Sequence, residues 1–160
     1  MELDDRHIEA LAVAYPPPRY YADPEQMRDS VRRGIMFKVI DVECGEKADL
    51  IPLTMASRYR EAFQRRVRHT VDLPDCAPFA VWCARPEDVI VGKLLAWAEG
   101  RSAKHETDIY EMLVARYAGL DQESALDEEY VSAHACWLGA EARDLWESLR
   151  GEACRQAERS

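Results

Sequence analysis

The chain has 160 residues, with 21 basic and 30 acidic side chains and a formal charge of −9; its 18.3 kDa gives room for one ordinary domain with a substantial core. Apolar residues at 48 % and charged residues at 32 % exclude wholesale disorder, and no run approaches the roughly 18 apolar residues of a membrane helix. The acidic balance argues against general DNA binding, which needs a basic surface, and the polar opening Met1–Arg6 is no secretory signal, so a cytoplasmic protein without membrane contact is expected.

Asp5 is placed to cap a first helix running to about Ala14, with Ile8, Leu11 and Ala12 as its apolar stripe. The prolines at 16–18 end it, because they remove donors and clash with a helical turn. A short extended piece over Arg19–Ala22 precedes Asp23-Pro24-Glu25, an acidic cap followed by proline at the first helical position. That helix should finish near Gly34.

Two strands follow. Ile35–Val42 is rich in β-branched and aromatic residues, Lys47–Ile51 is shorter, and the link Glu43-Cys44-Gly45-Glu46 suits a hairpin. Asp41 and Asp49 then lie nearly opposite one another. If both emerge on one face, they form a candidate Mg2+ site, since two clustered carboxylates repel unless a cation intervenes. Lys38 and Lys47 on the same strands are placed either to approach phosphates or to guard a sheet edge against pairing.

Residues 55–67 read as a helix with Tyr59, Ala62 and Phe63 facing inward. Arg58, Arg60, Arg65, Arg66 and Arg68 give this region a local basic face, opposed only by Glu61, that reads as a solvated helix surface or, alternatively, as a face for a phosphate-bearing ligand or an acidic partner. From residue 121 onward ten acids face four bases. Extended pieces over Thr70–Leu73 and Phe79–Cys83 come next, and the rest is helical: from Pro86 to a stop at Gly100, then Lys104–Tyr117, Asp127–Leu138 and Ala140–Leu149, with a polar tail from Gly151. Trp82, Trp97, Trp137 and Trp146 sit in apolar periodic runs and are expected in the core. Five scattered cysteines without a C-x-x-C pair read as reduced thiols, and no zinc site is expected.

No phosphate-binding glycine motif, H-E-x-x-H or G-x-S-x-G is present. Several segments nonetheless carry a likeness in order and spacing. They are Tyr20-Tyr21, Asp23–Phe37, Val39–Glu43, Lys47–Leu53, Arg60–Arg66, Ala84–Leu95, Thr107–Leu113 and Leu126–Val131. Over roughly residues 6–150 the chain resembles the nucleotidyltransferase-fold proteins related to the abortive-infection toxin AbiEii. The resemblance implies an α+β fold: a partial nucleotidyltransferase-like mixed sheet with flanking helices over residues 1–84, a helical subdomain over 85–150 and a tail over 151–160.

It also implies a chemistry. Such proteins use a glycine-serine loop for a nucleoside triphosphate and three strand-borne carboxylates for two divalent cations, transferring a nucleoside monophosphate to a hydroxyl. Asp49, between Ala48 and Leu50, matches the third carboxylate and is the catalytic and metal-ligating candidate, with Asp41 a weaker one. The loop and the alternating acid pair have no match, because Asp4 and Asp5 are adjacent and cannot share a strand face. The chain opens about where a full-length relative has finished its paired-acid strand, so Mg2+ and nucleotide binding are expected only with those upstream carboxylates supplied. Small-molecule, RNA and protein hydroxyls all remain open as acceptors.

The resemblance also points to Lys93 and Asp108 as an interhelical ion pair or a polar contact on the substrate side, with simple helix packing and exposed ends an equal alternative; with Lys38 and Lys47 they are the candidate nucleotide contacts. The alternative is a noncatalytic interaction module, in a toxin-antitoxin or phage-defence setting. Self-association or a protein partner is then expected at an exposed sheet edge.

Overall fold

The computed structural model describes residues 3–53, 59–74, 76–120 and 125–159. They form an α+β fold with two small antiparallel sheets, flanking helices and a helical C-terminal region. Two separate sheets therefore stand where one mixed sheet was expected. The chain divides into units of residues 1–63 and 64–160. Among the described residues, no helix is long and apolar enough to cross a membrane.

In the first unit, Asp4 rather than Asp5 caps helix α1 (Asp5–Ala14). Its carboxylate accepts the His7 amide at 3.0 Å, and the His7 ring reaches back to the Asp4 amide, a reciprocal capping box. Helix α2 (Pro24–Arg33) starts as its sequence dictates, with Asp23 Oδ1 accepting the Glu25 and Gln26 amides at 2.8 and 3.1 Å. It stops at Gly34, whose φ of 66° is the left-handed conformation that glycine adopts without a Cβ clash.

Strands β1 (Tyr20–Tyr21), β2 (Phe37–Asp41) and β3 (Lys47–Leu50) pair antiparallel in that order. Phe37 and Val39 point inward from β2 and close a core with Ile8 and Met27, all 6 % exposed or less. Helix α3 (Arg60–Arg65) is only six residues long and has no buried side chain. Tyr59 is 38 % exposed, and Ala62 and Phe63 are half-buried, so the expected inward face does not form. Arg58 and its neighbours at 54–57 lie outside the described residues.

The second unit opens with the hairpin β4 (Val67–Val71) and β5 (Phe79–Cys83), followed by α4 (Pro86–Gly100), α5 (Ala103–Tyr117), α6 (Glu128–Leu138) and α7 (Ala140–Ala157). Its core gathers Ile90, Leu94, Ile109, Leu113, Val131 and Trp146, each 1 % exposed or less. The stretch from Gly151 continues α7, because Ala153 is fully buried against this core. The left-handed stop of α4 falls on Arg101, with φ of 51°, rather than on Gly100; the guanidinium lies 4.2 Å from the Trp97 ring centre and pairs with Glu141.

Only one of the four tryptophans is fully buried. Trp146 donates from Nε1 to Ser132 Oγ at 2.9 Å, and Trp97, half-buried, donates to Glu106 at 2.6 Å. Trp82 and Trp137 are 62 % and 81 % exposed, which corrects the core expectation for both. Trp82 projects from the opposite face of β5 to Val81 and Cys83, where Arg66 lies 4.8 Å from its ring centre. Trp137 falls off the α6 stripe of Val131 and Ala135.

Candidate functional site

The β2–β3 register decides what the strand acids can do. Lys38 stands opposite Asp49, Val39 opposite Ala48 and Ile40 opposite Lys47. Lys38 and Asp49 therefore share a face, and Nζ meets Oδ1 at 3.4 Å. Asp41 is three residues along from Lys38, an odd step, and emerges on the other face with Phe37 and Val39. The two acids are not brought together, and the expected Asp41–Asp49 pair does not form.

Asp41 is also already committed. Arg19 donates to its Oδ2 from Nε at 3.0 Å and from Nη2 at 2.9 Å, while Oδ1 accepts the amides of Glu43 and Cys44 at 3.0 and 3.4 Å. These bonds tie β1 to the hairpin turn. The Arg19 hydrogen bond holds the Asp41 carboxyl below the usual carboxylate range against partial burial, with help from the two amides. The same bond raises the Arg19 guanidinium.

The residues present do not fit the two-cation centre that the resemblance implies. Asp49 stands with a lysine, Asp41 is saturated by an arginine and two amides, and no group of three or more His, Cys, Asp or Glu is placed to hold a metal among the described residues. An open cavity of about 520 Å3 does lie on the Asp41 face, lined by Tyr15, Tyr20, Val39, Ala48 and Leu50 with the Arg19–Asp41 pair at its wall.

In the second unit Lys93 and Asp108 are joined. Nζ of α4 meets Oδ2 of α5 at 2.6 Å, with 26 % and 28 % of the two side chains exposed. Hydrogen bonding from Lys93 lowers the Asp108 carboxyl, against a smaller desolvation effect. The pair is an interhelical tie with both charges engaged. Lys38 and Lys47 belong to the first unit, and Lys93 and Asp108 to the second.

A further cluster was not singled out from the sequence. Glu87 and Asp88 open α4, and both side chains are only 2 % exposed. Arg65 spans them, with Nη2 on Glu87 Oε1 at 2.7 Å and Nε on Asp88 Oδ2 at 3.1 Å. Its guanidinium lies 3.9 Å from the Tyr130 ring centre, and the Tyr130 hydroxyl donates to Asp88 Oδ1 at 3.0 Å. Burial works against the Arg65 charge, but the Asp88 hydrogen bond and the surrounding negative charges leave its pKa raised. Arg85 donates to the Arg65 carbonyl at 3.0 Å, and Glu87 Oε2 is buried without a hydrogen-bond partner. The available signal was periodicity: Glu87 lies three and seven residues before Ile90 and Leu94, on the stripe that enters the core.

No family model, curated protein or solved structure matches this chain.

Proposed function

We propose that this chain is a nucleotidyltransferase-fold module, related to the AbiEii toxin, that does not transfer nucleotides by itself and works by binding another polypeptide. The order of family-like segments supports the relationship, and the toxin-antitoxin or phage-defence setting follows from it. What supports the lack of transfer is the isolation of Asp49, whose cross-strand neighbour is a lysine while Asp41 faces the other way; what supports the binding role is the outer edge of β3, which no described strand covers. A lone carboxylate paired with a cation does not organise two Mg2+ ions.

The second reading is a nucleotidyltransferase completed by carboxylates from a further strand. What favours it is the position of Asp49, 44 % exposed on a strand whose outer edge no described strand covers. A strand laid there would bring its side chains beside Asp49.

Calorimetric titration of the whole chain with ATP, GTP, CTP and UTP, each with Mg2+, tests the first reading. The binding-module reading expects no Mg2+-dependent heat. Saturable Mg2+-dependent binding, lost in Asp49→Ala, overturns it.

A further inference from the structure

The outer edge of β3 has a definite chemical pattern. The Asp41 amide donates to the Glu46 carbonyl at 2.8 Å, so the backbone of Asp41, and with it that of Val39 and Phe37, faces β3. Antiparallel pairs alternate, so the backbone groups of Ala48 and Leu50 face β2, while those of Lys47 and Asp49 face away from it. Among the described residues no strand takes up that edge. The side chains of Lys47 and Asp49 share one face of β3 and are exposed.

We infer that two copies of this chain join their β3 strands antiparallel about a two-fold axis at Ala48, setting Lys47 of each copy against Asp49 of the other. The inference rests on the binding-module reading and names the partner as a second copy.

Backbone geometry and charge select this register together. With the axis at Ala48, Lys47 and Asp49 of the two copies become hydrogen-bonded pairs, the role their outward amides and carbonyls require. Each of these pairs also joins opposite charges, and Asp49 sits between Lys38 of its own copy and Lys47 of the other. With the axis at Asp49, carboxylate faces carboxylate, and with the axis at Lys47, ammonium faces ammonium; both are destabilising. An axis between residues would match outward backbone groups to inward ones. At the Ala48 axis, small side chains meet at a non-hydrogen-bonded site, where the backbones come closest. A lysine that only guards an edge needs no acid two residues along; here the spacing is complementary to itself. The result is one continuous antiparallel sheet of six strands, built from the three of each copy.

The test is sedimentation velocity of the whole chain across the micromolar range, without nucleotide or metal. The wild type is expected at about twice 18.3 kDa at the upper end. Lys47→Glu or Asp49→Lys replaces both cross-strand attractions by repulsions and should weaken the dimer on the order of tenfold or more. The triple variant Lys38→Glu/Lys47→Glu/Asp49→Lys reverses these signs and also that of the Lys38–Asp49 pair within each copy, so it should restore the dimer. Independently of charge, Ala48→Cys should give a reducible covalent dimer on mild oxidation, because its own symmetry mate faces it, whereas Lys47→Cys and the wild type with its native cysteines should not.

A monomeric wild type throughout the range overturns the inference. So does a dimer that ignores the single reversals, is not rescued by the triple one, or is not trapped by Ala48→Cys; such a dimer is built elsewhere. A monomer that still transfers no nucleotide removes only the dimer, while nucleotide transfer by the chain removes the reading beneath it, whatever the mass.

Discussion

Arg65→Ala should be among the most damaging substitutions in the second unit, although Arg65 lies in a stretch whose arginines read as surface residues. The Arg65 side chain is 29 % exposed, but the two acidic side chains it spans are each 2 % exposed. Removing it leaves both acids buried and strips the cover from the Tyr130 ring. Breaking a buried pair costs about 3–5 kcal/mol; Arg85, with Nη1 3.9 Å from Glu87 Oε1, takes over part of the compensation, so a loss of about 2–4 kcal/mol is expected. With a urea m-value of about 1.5 kcal/mol per molar, the unfolding midpoint falls by roughly 1.3–2.7 M.

Tryptophan fluorescence is a clean probe for this, because all four tryptophans lie in residues 64–160. The double variant Arg65→Ala/Glu87→Gln removes one of the stranded charges and should recover part of the loss, giving a favourable coupling energy between the two positions. If Arg65→Ala leaves the midpoint where it was, the cluster is not a buried electrostatic tie and the reasoning fails.

Three more outcomes follow from the same geometry. In Lys93→Met, the Asp108 carboxyl should rise toward its ordinary value of 3.8; a carboxyl with a depressed pKa adds stability above that value and loses it as pH falls through the folded value, so the variant's acid unfolding should be less pH-dependent below about 4. Side-chain NMR titration checks this, and an unmoved Asp108 refutes it. Trp146→Ala should cost about 3–5 kcal/mol, since a fully buried ring and its bond to Ser132 are lost, whereas Trp137→Ser should stay within about 0.5 kcal/mol; comparable losses in urea unfolding would contradict the burial contrast. Asp23→Ala should lower the stability of the first unit by about 1 kcal/mol through its two capping bonds, read by far-ultraviolet circular dichroism, with an unchanged unfolding curve as the contrary result.

The local grammar of the chain was legible wherever a single residue type carries a backbone requirement. Asp23-Pro24 and Gly34 bracket α2 in both sequence and structure, and the Gly45 hairpin joins two strands with nearly the expected ends. Register was not legible, and it decides the site. The numbering set Asp41 nearly opposite Asp49, but the turn pairs Asp41 with Glu46, and each pair along the ladder follows from that closure. An odd offset along a strand reverses the face, so a small misplacement separates a metal pair into two unrelated carboxylates.

Burial of tryptophan was likewise misjudged from apolar context alone. Trp137 lies off the α6 stripe of Val131 and Ala135, and Trp82 belongs to a two-stranded hairpin in which no side chain is fully buried. The Arg65 cluster was hidden for a different reason. Its acids are local to α4, but their cation comes from a helix more than twenty residues earlier, a separation no periodicity reveals.

The central claim, that this chain does not itself transfer nucleotides, is tested most directly by a labelling assay. The purified whole chain is incubated with Mg2+ and each nucleoside triphosphate labelled at the α-phosphate, in the presence of bulk RNA, bulk protein and small-molecule alcohols as acceptors. The account predicts that label stays in the triphosphate, equally for the wild type and for Asp49→Ala. Label appearing on any acceptor with the wild type and vanishing in Asp49→Ala would contradict it and place that carboxylate in a working site.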